Sequence, residues 1–268
     1  MTTTVNEIDI RYEDAGPADA PAVIFIHGFP LNRSMWREQI DLLKGRYRAV
    51  AFDLRGHGES GMDDEPLSME LFVQDLLHFM DALRIDKAIL CALSMGGYIA
   101  LRAAETHPER FSALILCDTQ CTADTPEAKK KRHAAIAAIR DEGVETFADA
   151  SLGSLFSPGG IEKRPETAEA VRAMIVGTAE ASLVRTLHAL HDRDETCSKL
   201  PDLRLPVLVI VGEEDSITPP AAAHYLHENL TDASLAVIED AGHLSNLENP
   251  AAFNEALEHF LASLQRRT

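Results

Sequence analysis

Three side chains far apart along the chain have the chemistry of nucleophilic acyl transfer: a serine hydroxyl, an imidazole and a carboxylate. The serine is Ser94, in Cys91–Ala92–Leu93–Ser94–Met95–Gly96–Gly97, where a buried-strand pattern gives way to a helical one. A serine at the apex of a sharp strand-to-helix turn needs small residues two positions to either side, because strand and helix nearly touch there; Ala92 and Gly96 fill those places. The imidazole is His243, in Ala241–Gly242–His243–Leu244, a loop just after the last apolar run. The carboxylate comes from Gly212–Glu213–Glu214–Asp215, which also follows an apolar run. Glu213, Glu214 and Asp215 are all in reach, and Asp118, at the end of an earlier run, is a fourth candidate. Spacing alone does not choose among them.

A fourth stretch, His27–Gly28–Phe29–Pro30, follows another apolar run. Gly28 allows close approach of backbone to a ligand, and Pro30 biases Phe29 toward an extended conformation. The backbone N–H groups of Phe29 and Met95 are then the expected donors to an oxyanion, usually the largest single catalytic term in such sites. His27 itself reads as a histidine that ties loops together.

These residues need a scaffold that brings strand ends together. Ile8, Ile10 and Tyr12 alternate with Asp9, Arg11 and Glu13, the period of a half-exposed antiparallel strand. Residues 22–26, 48–52, 88–93, 113–117, 207–211 and 235–238 form short, nearly continuous apolar runs, as in parallel strands covered on both faces. Helical patterns lie between them. Residues 68–83 open at Ser68 as a cap and place Phe72, Leu76, Phe79, Met80 and Leu83 at helical spacings; residues 95–105 and 250–264 behave alike. Strands alternating with helices predict an α/β fold with a mostly parallel, doubly wound sheet. From Thr122 to Leu200 there is helical pattern and no strand, so residues 122–200 are expected to be an inserted helical cap, and residues 1–121 and 201–268 the core. The basic run Lys129–Lys130–Lys131–Arg132 in that stretch reads as a solvated helix face.

Taken together, these segments resemble the α/β-hydrolase family, in its branch of small capped esterases, enol-lactonases and carbon–carbon bond hydrolases. HGFP at 27–30, DLRGHGES at 53–60, ALSMGG at 92–97, VGEEDSITP at 211–219 and AGHLSNLENP at 241–250 carry the resemblance. The order serine, acid, histidine along the chain belongs to that family rather than to other Ser–His–Asp folds. The family pattern implies Asp215 as the acid, with Glu213 and Glu214 flanking it, and His57 as part of a loop buttressing the sheet edge. Ala92 stands where glycine is usual. A serine at the elbow argues against the haloalkane dehalogenases and epoxide hydrolases, which use aspartate there. No metal or organic cofactor is implied.

The implied activity is hydrolysis of small carboxylic esters or lactones, with Ser94, Asp215 and His243 catalytic and Phe29 and Met95 forming the oxyanion hole. A 3-oxoadipate enol-lactonase-like or carbon–carbon hydrolase activity is the alternative, and a ligand-binding receptor with little turnover the third reading. Gly28, Trp36, Leu155, Phe156 and Met174 are the expected substrate contacts. A carboxylate-bearing lactone would need a local cation; Arg33 and Arg193 lie at suitable places in the chain, though both read as surface arginines.

Charge and composition narrow the partners. Among 268 residues, 25 Lys and Arg stand against 43 Asp and Glu, for a net charge of −18. A field of that sign repels nucleic acid and anionic lipid. No apolar run approaches the ~18–20 residues that span a bilayer, and residues 1–16 lack the basic and apolar regions of a secretory signal. The four cysteines show neither CxxC nor zinc spacing; Cys91 and Cys117 read as small buried apolar residues. A cytoplasmic monomer or homodimer acting on a small molecule is the expectation.

Overall fold

The computed structural model describes residues 1–266. Eight strands form one sheet: β1 (Thr2–Val5), β2 (Ile8–Ala15), β3 (Ala22–Ile26), β4 (Arg48–Phe52), β5 (Ala88–Leu93), β6 (Phe111–Cys117), β7 (Val207–Gly212) and β8 (Ala233–Ile238). Their spatial order is β1-β2-β4-β3-β5-β6-β7-β8. The β1–β2 and β2–β4 pairs are antiparallel, and every later pair is parallel. Among the described residues, eleven α-helices accompany them: α1 (Arg37–Leu43), α2 (Met69–Ala82), α3 (Met95–Thr106), α4 (Pro126–Glu142), α5 (Val144–Leu155), α6 (Gly160–Lys163), α7 (Pro165–Val176), α8 (Glu180–Asp192), α9 (Pro220–Asn229), α10 (Ser245–Glu248) and α11 (Pro250–Gln265).

The apolar runs become strands because both of their faces are covered. On one face Ile24, Ile26, Leu90, Ala92, Leu114 and Leu116 pack with Phe72, Leu76 and Ile99 of α2 and α3. On the other, Val23, Phe25, Ile89, Cys91 and Ile115 pack with Ile40, Phe253 and Leu257 of α1 and α11. Alternate side chains thus enter opposite layers, and β3, β5 and β7 are buried along their whole length. Ser68 caps α2, its side chain accepting a hydrogen bond from Leu71 N at 3.1 Å.

The structure departs from the sequence expectation at β8 and at Trp36. The run at 235–238 is not covered on both faces: β8 is an edge strand with Val237 exposed, so one side of it meets solvent. Trp36 lies fully buried in the layer between β3 and α11, its ring 5.2 Å from Phe25 and 6.2 Å from Phe253. A large apolar ring gains more from that layer than from a crevice wall, and it is a core residue rather than a substrate contact.

Five helices, α4 to α8, are inserted between β6 and β7. A disulfide between Cys121 and Cys197 joins the two ends of this insertion, and Thr196 N donates to Cys121 O at 2.8 Å beside it. Cys91 and Cys117 remain free and buried, as expected. The bonded pair means that the cysteines give no argument for a reducing compartment. Among the described residues, no helix is long and apolar enough to cross a membrane.

Candidate active site

Ser94 sits between β5 and α3 with φ 53° and ψ −112°, a conformation that non-glycine residues adopt only when their surroundings impose it. Three contacts impose it. Ser94 N donates to Cys117 O at 2.9 Å, Thr119 Oγ1 donates to Ser94 O at 2.8 Å, and α3 presses close to β3. A Cβ on Gly96 would stand 2.5 Å from Ile26 O, and one on Gly97 2.4 Å from Thr119 Oγ1. These two glycines are therefore required by contact, whereas Ala92 fits within the core.

The three dispersed side chains meet at the C-terminal ends of the strands. Ser94 Oγ lies 2.8 Å from His243 Nε2, and His243 Nδ1 lies 2.8 Å from Asp215 Oδ2. Asp215 is held at both oxygens. Oδ1 accepts from Ile217 N at 2.8 Å and Thr218 N at 3.0 Å, and Oδ2 also accepts from Thr218 Oγ1 at 2.7 Å. Burial opposes the charge of Asp215, but the imidazole and the Thr218 donors outweigh it, and its pKa lies below the usual carboxylate range. Burial likewise opposes the imidazolium of His243, yet Asp215 prevails and the His243 pKa is raised above 6.5. With Nδ1–H committed to Asp215, Nε2 is the nitrogen that accepts from the Ser94 hydroxyl. Glu213 and Glu214 are exposed.

Phe29 N and Met95 N make no hydrogen bond to a protein acceptor among the described residues. Met95 opens α3, where the first N–H groups lack intrahelical partners. Gly28, the residue before Phe29, packs against the elbow: a Cβ there would stand 3.2 Å from Ser94 Cβ. His27 ties loops, its Nδ1 bonded to Gly28 O at 2.9 Å and its Nε2 accepting from Leu54 N at 3.0 Å. Burial lowers its pKa to about 4, so it is neutral. His57 is equally buried, with a pKa lowered to about 3 by burial first and His27 second. It sits in the buttressing loop, next to Arg55, which grips Asp75 through two 2.7 Å bonds.

The inserted helices reach the site by their backbone. His243 N donates to Leu155 O at 3.0 Å. Glu248, also buried, accepts from Gly242 N at 2.7 Å, Ser157 N at 3.0 Å and Ser157 Oγ at 2.7 Å. Leu155 and Phe156 are thereby tied to the histidine loop, and both are buried; Met174 is half-buried against the same core layer. Phe29 projects the other way, its ring 6.3 Å from Phe147 of α5, against a small cluster of Ile136, Ile139, Leu183, Val184 and Leu187.

Neither expected arginine is free. Arg33 pairs with Asp53 and Glu59. Arg193 is not a surface residue: it is buried, pairs with Asp124, and lies 4.2 Å above the Tyr98 ring. Sequence reasoning passed over Arg132. Among the described residues only its Nε has a partner, 3.1 Å away at Asp124 Oδ2, and its charge acts on His243, where it opposes the imidazolium. Its place in a basic run concealed it; the neighbouring lysines Lys130 and Lys131 are exposed as that run predicts. Thr218 was also missed, although its position three residues after Asp215 fits a local carboxylate-to-backbone turn.

Comparison with known proteins agrees with this architecture. Residues 21–250 match the model of the alpha/beta hydrolase fold family. The chain is 32% identical over 257 residues to 3-oxoadipate enol-lactonase 2 of Acinetobacter baylyi, covering 96% of this chain and 94% of that protein. A thermophilic esterase from Thermogutta terrifontis, solved with malate bound, superposes with a TM-score of 0.92 at 32% identity over 98% of both chains. The enol-lactonase from Burkholderia xenovorans LB400 superposes with a TM-score of 0.91 at 29% identity, over 98% of this chain and all (100%) of that one. From its strand order, its inserted helices and the match across residues 21–250, this chain belongs to the alpha/beta hydrolase fold family.

Proposed function

We propose that the protein is a serine hydrolase of small carboxylic esters or lactones, working through an acyl-enzyme on Ser94. The observation that carries this is the continuous relay from Ser94 Oγ to His243 Nε2 and from His243 Nδ1 to Asp215 Oδ2, each step 2.8 Å. In the first half-reaction Ser94 Oγ attacks the substrate carbonyl carbon and His243 Nε2 takes the hydroxyl proton. Asp215 holds the imidazolium that forms, while Phe29 N and Met95 N receive the developing oxyanion. Collapse breaks the ester carbon–oxygen bond, and His243 returns the proton to the departing alkoxide. Water then attacks the acyl-serine, giving its proton to His243, and the acid leaves with Ser94 restored. For a lactone, the leaving oxygen stays attached to the acyl group.

The test is a pre-steady-state burst on p-nitrophenyl acetate combined with organophosphate labelling. A burst close to one equivalent, with the label on Ser94, is the expected result. Folded protein that shows neither burst nor label would reject the reading and favour a ligand-binding protein.

A second reading, hydrolysis of a carboxylate-bearing lactone, is favoured by Arg132. Its two terminal nitrogens have no protein partner among the described residues, and its positive charge acts on His243 in a chain of net charge −18. The relatives named as enol-lactonases and the malate bound to the related esterase accord with an anionic substrate. Arg132→Ala is expected to raise KM for a carboxylate-bearing lactone about tenfold, the scale of one partly exposed charge-assisted contact. KM for p-nitrophenyl acetate should stay within about twofold. An equal change for both substrates would assign Arg132 to packing of the inserted helices.

A further inference from the structure

Asp118, at the end of β6, is a buried carboxyl group that the acyl-transfer relay does not use. Its φ of 46° is left-handed, and like Ser94 it is a buried non-glycine residue held there, one strand away. The consequence is visible in the ladder between β6 and β7. Asp118 N still donates to Ile210 O at 2.8 Å. The next rung of a parallel ladder would carry Gly212 N to the main-chain carbonyl of Asp118. Instead Gly212 N donates to the Asp118 side chain, at 2.8 Å from Oδ1. The other oxygen, Oδ2, is hydrogen-bonded to Ser245 Oγ. One carboxyl group therefore spans two segments: Gly212 precedes Asp215 by three residues, and Ser245 follows His243 by two. These segments already touch, since a Cβ on Gly212 would stand 2.0 Å from Gly242 O.

We propose that Asp118 is a positioning residue for the triad, its carboxyl group replacing a rung of the β6–β7 ladder and tying the Asp215 loop to the His243 loop. The proposal rests on the acyl-transfer reading of the site. A strained backbone held by buried hydrogen bonds at this point is a feature that packing alone does not require. The electrostatics fit. No Lys or Arg pairs with Asp118 among the described residues; its ionisable neighbours are Asp215, His243 and the buried thiol of Cys117. Burial first, and the Asp215 charge second, push its pKa up to about 8. At neutral pH the group keeps its proton, with Ser245 Oγ–H donating to Oδ2. Above pH 8 it ionises, and a second negative charge appears beside the imidazole.

The experiment compares Asp118→Ala, Asp118→Asn and Ser245→Ala on p-nitrophenyl acetate across pH 6–10. Asp118→Ala should lower kcat about tenfold to a hundredfold with KM nearly unchanged, the scale of a small misplacement of catalytic groups. Asn, which still accepts from Gly212 N and donates to Ser245, should restore kcat at pH 7 to within about threefold of the wild type. It should also abolish the second upward step in kcat expected of the wild type near pH 8. Ser245→Ala should lower kcat about fivefold, again without a change in KM. It carries the test should Asp118→Ala fail to fold. The low-field proton resonance of His243 Nδ1–H, read by NMR without substrate, should weaken in the alanine variants and persist in the asparagine variant. A folded Asp118→Ala or Ser245→Ala with wild-type kcat and an unchanged resonance would overturn the proposal, as would Asn as damaging as Ala at pH 7. If the wild type turns over no ester, the acyl-transfer reading fails on its own, while the resonance still judges the tie between the loops.

Discussion

Ser94→Ala is expected to lower kcat on an activated ester by roughly 10^5-fold or more, the loss seen when the nucleophile is removed from a working triad. The variant should bind substrate nearly as before and unfold in a single transition close to that of the wild type. The reason is local. The hydroxyl is small and makes one side-chain hydrogen bond, to His243 Nε2, whereas the elbow itself is held by backbone and by Thr119. Alanine keeps the turn and deletes the attacking atom. What rate remains would come from the oxyanion donors and from binding. A steady-state assay with titrated active sites, beside a urea unfolding curve, checks both halves. Wild-type turnover in the folded variant would remove Ser94 from the chemistry and the proposed acyl-enzyme with it.

Asp215→Asn should be nearly as severe, lowering kcat by about 10^4-fold. Asparagine is almost isosteric, and its carbonyl still accepts from Ile217 N and Thr218 N. Its amide, however, faces His243 Nδ1 as a donor. That reverses the tautomer, leaving Nε2 protonated and unable to accept from Ser94. The pH profile should move too. In the wild type activity rises as His243 loses its proton. The imidazolium is disfavoured by burial but more strongly favoured by Asp215, so the midpoint lies above 6.5. Removing the carboxylate takes away the main force opposing burial, and the midpoint of the residual activity should fall. At pH 7, Asp118→Asn should stay within about threefold of wild type, so the two aspartates separate cleanly. The reverse ranking would make Asp118 the acid of the triad. Rates flat between pH 5 and 8 would remove His243 as the base.

Much of this was legible along the chain because the deciding forces are local. Runs such as 88–93 and 207–211 are apolar on both sides, and only a covered strand can bury them. The elbow at Ser94 needs Gly96 and Gly97, because backbone and Thr119 stand within 2.6 Å of where their side chains would begin. The histidine and acid loops are named by a glycine next to each and by the strand each follows. Residues whose role is set by distant partners were not legible. Trp36 has the composition of a substrate contact and becomes a core residue because Phe25 and Phe253 meet it from two other elements. Arg193 is drawn inward by Asp124 and Tyr98, and Arg132 is turned by the same aspartate.

By itself the sequence determined the alternation of strands and helices, the inserted helical region, the elbow serine and the family. The elements follow from hydrophobic period, turn chemistry and the spacing of residues a few positions apart; the family follows from the resemblance of the motifs. Residue spacing left the acid open and the family resemblance implied Asp215, which the tertiary structure brings against His243; only that structure decided that Asp118 bonds Gly212 and Ser245 instead, and that Cys121 and Cys197 join the ends of the insertion. Those outcomes depend on how strand ends are brought side by side across separations of up to 127 residues. Periodicity along a chain specifies which face of an element is buried, but not which residue of another element it is buried against.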